Sequence, residues 1–201
     1  VLVVSDTLEK YFFDVSNVYK YIPFSPNNWD TDLKLSKLKG CNVKNATFGY
    51  FGPPYLTRHF DTIVQFFAWL DSKGLELKTK LVTRIDNDRL SEVESKYLEI
   101  LRPEISCVVS GFLSREELLH ELLEIEVMIL PFRVVMEELP IVVLESLELG
   151  IPVVTTIDCG IQLITEGRKD ILILESFSRN EFQNVLDFVE GYVPGNFESI
   201  L

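Results

Sequence analysis

The sequence predicts an α/β protein with an open, doubly wound parallel sheet of about six strands. From Ala46 onward, short runs rich in β-branched residues alternate with amphipathic segments long enough to be helices. This alternation is typical of parallel strands joined by crossover helices. The chain has 201 residues, of which 47% are hydrophobic and 25% charged, a size and composition that suit one globular domain with a large core.

The first part of the chain, residues 1–43, is predicted to be a connecting segment, and residues 44–201 the main domain. In the connecting segment, a strand is expected at 1–4, followed by a short helix that begins at Ser5. A second strand is expected at 18–22, before a turn-rich stretch and a lysine-containing segment that lead into the main domain.

In the main domain, capping and breaking residues set the limits of the predicted elements. Gly74 ends the first helix, and Pro131 stops the fourth strand. Ser114 has Glu117 three residues later, the spacing of a capping box, so a helix is expected to begin there. Strands are predicted at 47–51, 79–83, 105–110, 125–130, 153–155 and 171–174. Helices are predicted at 60–72, 87–101, from 114 onward, from 140 onward, at 160–167 and at 178–190.

The charge and cysteine content exclude several classes of function. A formal net charge of −12 argues against nucleic acid or an anionic membrane as a partner of the whole surface. No apolar run reaches the roughly 18–20 residues that span a bilayer, so no membrane insertion by this segment is expected. The chain opens without Met or a basic segment, which predicts no signal peptide and favours a fragment boundary. Three scattered cysteines without metal-ligand spacing favour a reduced, cytoplasmic compartment and no bound metal.

Residues 136–155 contain the most informative pattern in the chain. Two adjacent carboxylates, Glu137 and Glu138, precede the helix that begins at Pro140. Within that helix, Glu145 has apolar residues three and four positions before it and four positions after it. Burying a carboxylate on such a face costs free energy unless it is hydrogen-bonded. Glu145 therefore either faces solvent or meets donors from a ligand, and the hydroxyls of a ribose are suitable donors.

One pattern resembles the donor site of a known family. It consists of Glu137, seven intervening residues and Glu145, followed by the Gly-Ile-Pro-Val-Val run at 150–154. The resemblance is to the retaining glycosyltransferases of group 1, or family 4, and to the C-terminal lobe of their two-lobed GT-B architecture. It implies a Rossmann-like domain in which Glu137 acts in catalysis by contacting the donor sugar, while Glu145 binds the ribose. Glu138 departs from the family pattern, and a one-residue slip gives it the role of Glu137.

The loop after the first strand of the main domain also resembles the family. Gly52 matches the glycine whose missing side chain lets the backbone approach the donor phosphates. The family commonly has Arg at the next position, where this chain has Pro53. Arg58 matches the second cation of the loop and is expected to bind phosphate bidentately, unless it is a surface cation at a helix start. Arg84 and Arg133 are alternative sources of the missing charge, although a surface ion pair with Asp86 or Asp88 is the favoured interpretation of Arg84.

Two further positions carry weaker parts of the resemblance. Gly111 lies where the backbone of the family brackets the base, although it is also consistent with a simple turn. Thr156 lies in a loop that the family places near the phosphates. The glutamates of the central motif have an alternative interpretation too, because most glutamates are solvated surface acids.

The resemblance implies the donor-binding domain of a retaining glycosyltransferase that uses a nucleotide sugar and requires neither a cofactor nor a metal. Residues 1–43 resemble the end of the N-terminal acceptor lobe, so most of that lobe is expected to be missing and the chain inactive alone. One alternative is a degenerate lobe that binds nucleotide weakly or only serves as a scaffold, which Pro53 and Glu138 favour. Another is a nucleotide-sugar epimerase with a GT-B-like fold and different acid–base groups in its cleft.

Overall fold

The computed structural model describes residues 2–3, 19–20, 46–74, 78–83, 99–100, 106–110, 113–133, 140–157 and 168–192. The strands in these ranges are β1 (Leu2–Val3), β2 (Tyr19–Lys20), β3 (Thr47–Phe51), β4 (Lys78–Thr83), β5 (Ser106–Ser110), β6 (Val127–Leu130), β7 (Val153–Thr156) and β8 (Ile171–Leu174). The α-helices are α1 (Phe60–Ser72), α2 (Arg115–Leu123), α3 (Ile141–Glu148) and α4 (Phe182–Gly191). Short 3₁₀ helices, Leu56–Arg58 and Arg179–Glu181, precede α1 and α4.

Six strands form one parallel sheet in the order β5-β4-β3-β6-β7-β8. The chain starts at the centre with β3, adds β4 and β5 on one side, and then crosses to β6, β7 and β8 on the other. Phe48 lies opposite Val127 and Gly49 opposite Met128, so β3 and β6 are direct neighbours. The chain order reverses between them, which makes this boundary the topological switch point of the sheet. The predicted α/β fold class and its parallel sheet are confirmed.

The core lies between the sheet and the apolar sides of the helices. Strands β6 and β7 are buried along their whole length, as expected when helices cover both faces of a parallel sheet. Helix α1 repeats apolar residues at helical spacing and buries Phe60, Ile63, Val64, Phe66, Phe67 and Leu70. The Phe66 ring meets Phe48 of β3 and Phe182 of α4 edge-on, at centroid distances of 5.8 and 5.0 Å. These contacts fix α1 between the sheet and α4.

Gly49 in the middle of β3 marks a close approach between the sheet and the end of α2. A Cβ atom at this position would collide with the fully buried side chain of Ile125. The sequence pattern places the start of the next strand at 125, but β6 begins at Val127. The reason is that the N–H of Ile125 donates to the carbonyl of Leu122 at 3.1 Å, which continues the turn after α2.

The start of α2 confirms the predicted capping box. The N–H of Glu117 donates to the Ser114 hydroxyl at 3.3 Å, and the N–H of Ser114 donates to the Glu117 carboxylate at 2.7 Å. These hydrogen bonds favour the ionised carboxylate and lower the pKa of Glu117. The capping box thereby satisfies two of the backbone amides at the helix start.

Strand β4 carries one charged side chain into the interior. Lys80 is 4% exposed, and its ammonium pairs with Glu121 of α2 and, at 2.5 Å, with Glu124 at the end of that helix. Burial opposes the charge, but the hydrogen bonds to the two carboxylates outweigh it and raise the pKa of Lys80 above its ordinary value of 10.5. The ion pairs thus join α2 to the sheet.

Several predicted elements lie outside the described residues. They include the helix predicted at 160–167 and most of the helix predicted at 87–101. Of the latter, only Glu99 and Ile100 are described, and both are helical. Within the first 45 residues, β1 and β2 fall inside the two predicted strands and pair in parallel. The boundary between connecting segment and main domain remains a prediction. Among the helices that the structure describes, none combines the length and apolar character needed to cross a bilayer.

Candidate functional site

The strongest candidate for a binding site is the carboxyl edge of the sheet at the switch point. Strands β3 and β6 end there side by side, at the place where open parallel sheets bind ligands. The first loop starts at Gly52 and runs into the 3₁₀ helix before α1. The second starts at Pro131 and is described as far as Arg133.

The first loop is held tightly by the sheet beneath it. Gly52 has a φ of 149°, and its N–H donates to the carbonyl of Val82 in β4 at 3.0 Å. The hydroxyl of Tyr50 donates to the carbonyl of Pro53 at 2.5 Å. Tyr50 is fully buried, and burial raises the pKa of its phenol. The loop therefore rests on a buried, neutral tyrosine in a conformation that favours glycine.

The part of this loop from Gly52 to Tyr55 leaves no amide for an anion, whereas no hydrogen bond within the described residues engages the N–H of Leu56 or Thr57. The N–H of Gly52 is engaged with β4, and the N–H of Tyr55 donates to the carbonyl of Pro53 at 2.8 Å. Pro53 and Pro54 have no N–H. The residues from Gly52 to Tyr55 therefore offer no backbone amide to a phosphate.

Arg58 and Thr156 both contact Phe132. The guanidinium carbon of Arg58 lies 4.8 Å from the centroid of the Phe132 ring, a cation–π arrangement. The backbone N–H of Phe132 donates to the hydroxyl of Thr156 at 2.8 Å, and that hydroxyl donates to the Phe132 carbonyl at 2.6 Å. Thr156 is fully buried. It braces the end of β7 against the loop after β6, and this loop in turn supports Arg58.

Arg133 joins the two loops across the switch point. Its backbone N–H donates to the carbonyl of Thr57 at 2.9 Å. Its Nη2 atom lies 3.0 Å from each carboxylate oxygen of Asp61, in the first turn of α1. The Arg133 side chain is 41% exposed and that of Asp61 is 18% exposed. The pair therefore lies at the edge of the site, with the guanidinium partly open to solvent.

Glu145 lies on α3, the helix predicted to begin at Pro140, which is its N-cap residue. Its side chain is half-buried. Of its apolar neighbours on the helix, Val142 and Leu149 are buried, whereas Ile141 is 50% exposed. Glu145 thus lies at the border between the buried face of α3 and the solvent-exposed face, and the protein covers only part of its side chain. The first turn of α3 contains no acidic residue.

The structure brings Gly52, Arg58 and Thr156 to one edge of the sheet and places Glu145 on the helix that follows β6. Glu137, Glu138 and Gly111 lie outside the described residues, as does Arg84. The Asp61–Arg133 pair and the brace formed by Tyr50 were not singled out by the sequence pattern. The sequence offers a signal for Arg133 alone, because it lies two residues after the proline that stops a strand. Nothing in the sequence links it to Asp61.

The described residues contain no cluster of three or more His, Cys, Asp or Glu side chains with the geometry to hold a metal ion. The charged groups that do converge at the switch point are guanidinium groups and a single carboxylate. Such groups suit the recognition of an anionic ligand by planar, bidentate donors.

Two sequence comparisons bear on the chain. A sequence model of the family described as "Glycosyl transferases group 1" matches residues 55–190, which is more than half of the 201 residues. No curated protein matches the sequence.

Solved structures that share the fold include the following three. Sucrose-phosphate synthase from Thermosynechococcus elongatus is 16% identical, with a TM-score of 0.70 over 94% of this chain and 48% of that one. HepE from Anabaena, in complex with UDP and glucose, is 13% identical, with a TM-score of 0.67 over 95% of this chain and 53% of that one. The C-terminal domain of a glycosyl transferase group 1 family protein, LpcC from Francisella tularensis, is 14% identical, with a TM-score of 0.58 over 83% of each chain. The chain thus spans about half the length of the first two proteins.

Proposed function

The chain belongs to the group 1 glycosyl transferases, and we propose that it is the donor-binding domain of a retaining glycosyltransferase that uses a nucleoside diphosphate sugar. The observation that carries the proposal is the placement of Arg58 at the switch point, on the loop after β3 and against Phe132 of the loop after β6. A diphosphate leaving group gains negative charge as the glycosidic bond breaks. Cations fixed at its position stabilise that charge without reorganising during the reaction.

Two of the similar structures support this assignment. HepE was solved with UDP and glucose bound, and the LpcC structure is a C-terminal domain of about the same extent as this chain. A chain that spans half of a two-lobed enzyme needs the other lobe for its acceptor. We therefore propose an N-terminal lobe as the partner of this domain and expect the isolated domain not to transfer sugar.

In the proposed complex, the remaining groups take the roles implied by the family. Glu145 accepts hydrogen bonds from the ribose hydroxyls, and Glu137 contacts the donor sugar, with Glu138 as the alternative. Gly52 and Gly111 lie against the phosphates and the base. Thr156 acts indirectly, because its hydroxyl is engaged by the backbone of Phe132. A cytoplasmic location, expected from the scattered cysteines, is part of the same proposal.

Isothermal titration calorimetry with UDP-glucose, GDP-glucose and ADP-glucose tests the function and identifies the base. We expect saturable binding of one of the three, with modest affinity because Pro53 replaces a cation. The matching nucleoside diphosphate should bind competitively, since it fills the same subsite. Failure of all three sugars and of UDP, GDP and ADP to bind contradicts the donor-site assignment.

One observation favours a second candidate, a scaffold lobe that has lost its ligand. The amides of the loop after β3 are engaged or absent from Gly52 to Tyr55, where a phosphate-binding loop needs free donors. A scaffold lobe should bind no nucleotide but should still bind the N-terminal lobe. Co-purification of this chain with that lobe, together with an absence of nucleotide binding, is the outcome that this candidate predicts.

A further inference from the structure

We propose that Arg133 is a phosphate-binding residue of the donor site and supplies the positive charge that Pro53 removes from the loop after β3. This inference rests on the proposed function, because it names a residue that holds the diphosphate of the donor. It assigns the role to a side chain on the other loop of the switch point.

The need for a second cation follows from the loop itself. A diphosphate is a multiply charged anion and this chain carries a net charge of −12, so the site must concentrate positive charge locally. No amide from Gly52 to Tyr55 is available. Arg58 alone provides one guanidinium, and that group is already stacked on Phe132.

Arg133 is placed and oriented for this task. The hydrogen bond from its backbone N–H to Thr57 fixes the backbone of Arg133 to the first loop. Its Nη2 atom is held by both oxygens of Asp61 at 3.0 Å. A side chain held at both ends loses little conformational entropy when a ligand binds.

The contact with Asp61 leaves most of the guanidinium donors for a ligand. Arginine has five N–H donors, and the two on Nη2 face Asp61. Within the described part of the chain, no contact engages Nε or Nη1, and the side chain is 41% exposed. The three remaining donors, on Nε and Nη1, can each donate to a phosphate oxygen, but they form no two-nitrogen fork, because both forks of a guanidinium group include Nη2.

A simpler interpretation is that Arg133 and Asp61 form only a structural pair between α1 and the end of β6. Both interpretations predict some loss of stability when Arg133 is replaced. They differ in ligand binding, because only a phosphate contact predicts a loss that is confined to ligands with phosphates. Inorganic pyrophosphate is the most direct probe, since it has no base or ribose.

The experiment measures the affinity of the wild-type chain and three variants for pyrophosphate, for UDP, GDP and ADP, and for the corresponding nucleosides. Arg133→Gln should weaken pyrophosphate and diphosphate binding by about tenfold, because a charge-assisted hydrogen bond is lost, and should leave nucleoside binding within about twofold. Arg133→Lys keeps the charge and can still pair with Asp61, so its loss should be smaller. Lys169→Gln is the matched control, since it removes the same charge from an exposed residue before β8, at the opposite edge of the sheet.

The outcomes separate this inference from the proposed function. If the chain binds nucleoside diphosphates but Arg133→Gln behaves like Lys169→Gln, the role of Arg133 is overturned and the donor site stands. If the chain binds pyrophosphate through Arg133 but binds no nucleotide, the phosphate contact stands and the nucleotide-sugar function fails. A chain that binds neither overturns both. Equal losses for nucleoside and diphosphate in a folded Arg133→Gln variant indicate a structural role only.

Discussion

Single residues at the carboxyl edge determine which groups the proposed site offers to an anion. Gly52 adopts the backbone conformation that the loop needs. Pro53 has no backbone N–H and stands where the family commonly has a cation. Positive charge is then left to Arg58 and Arg133, which lie on different loops and are each supported by another side chain. In the proposed site, these two guanidinium groups are therefore the main source of positive charge for the diphosphate.

At the same scale, Glu145 provides a test of ribose binding. Glu145→Gln should weaken the binding of the preferred nucleotide by about 1–3 kcal/mol, because two hydroxyls lose an ionised acceptor. The thermal unfolding temperature should hardly change, since the side chain is only half-buried. Calorimetric titration of the variant measures the effect, and Glu148→Gln on the same helix is the control. Unchanged affinity in Glu145→Gln would remove Glu145 from the site.

At the scale of elements, contacts between helices and strands hold the sheet edge in shape. Helix α2 is fixed at its start by the capping box and at its end by the ion pairs with Lys80 and the packing of Ile125 on Gly49. Helix α1 is fixed by its aromatic contacts and by Asp61. Because α1 begins directly beside Arg58, its position sets the geometry of the first loop.

The pair between β4 and α2 predicts a loss of stability at alkaline pH. A group whose pKa is raised in the folded state stabilises the fold fully below its ordinary pKa, and this contribution is lost as the pH rises through the raised value. For Lys80 the loss begins above pH 10.5, the ordinary pKa of lysine. We expect urea unfolding between about pH 8 and about pH 11, the range in which lysine titrates, to test this. The free energy of unfolding should decrease more steeply with pH for the wild type than for Lys80→Met.

The control for this prediction is Lys78→Met, which changes an exposed lysine two residues earlier on the same strand. Its pH dependence should follow that of the wild type. At neutral pH, Lys80→Met should reduce the free energy of unfolding by roughly 1–3 kcal/mol, because Glu121 loses its buried partner. An alkaline slope that is the same in wild type and Lys80→Met would show that the pair does not stabilise the fold.

At the scale of the whole molecule, four of the five large hydrophobic side chains that are exposed in the described residues lie at the carboxyl edge. Four large hydrophobic side chains on the loops and helix starts of this edge are exposed: Tyr55, Leu56, Ile141 and Ile157, at 52%, 39%, 50% and 49%. Apolar residues that gather on one side of a domain are typical of a surface that contacts another domain. This agrees with the proposed partner lobe.

The exposed apolar edge predicts weak self-association of the isolated chain. Static light scattering should show an apparent mass that rises with concentration above the 23.1 kDa monomer. Leu56→Lys should reduce the effect, because it places a charge within the apolar surface. Ile100→Lys is the control, since Ile100 is equally exposed but lies before β5, away from the carboxyl edge. A chain that stays monomeric at high concentration contradicts the interpretation of this edge as a contact surface.

The sequence by itself determined the fold class and most element limits. Strands, helices and caps depend on local patterns, and the β-branched runs, the Ser114–Glu117 spacing and the breaks at Gly74 and Pro131 are all local. The family resemblance likewise came from spacing within one stretch, from Glu137 to 154. For these features, neighbouring residues contain the whole signal.

Only the tertiary structure decided which residues meet at the site. The strand order that puts β3 beside β6 brings Arg133 to Asp61 and Arg58 to Phe132, pairs that are 72 and 74 residues apart in the chain (133 − 61 and 132 − 58). The same packing occupies the amide of Gly52 and the hydroxyl of Thr156, which the sequence leaves open as ligand donors. Hydrogen bonds and ion pairs between distant segments have no local pattern, because they depend on the register and order of the strands.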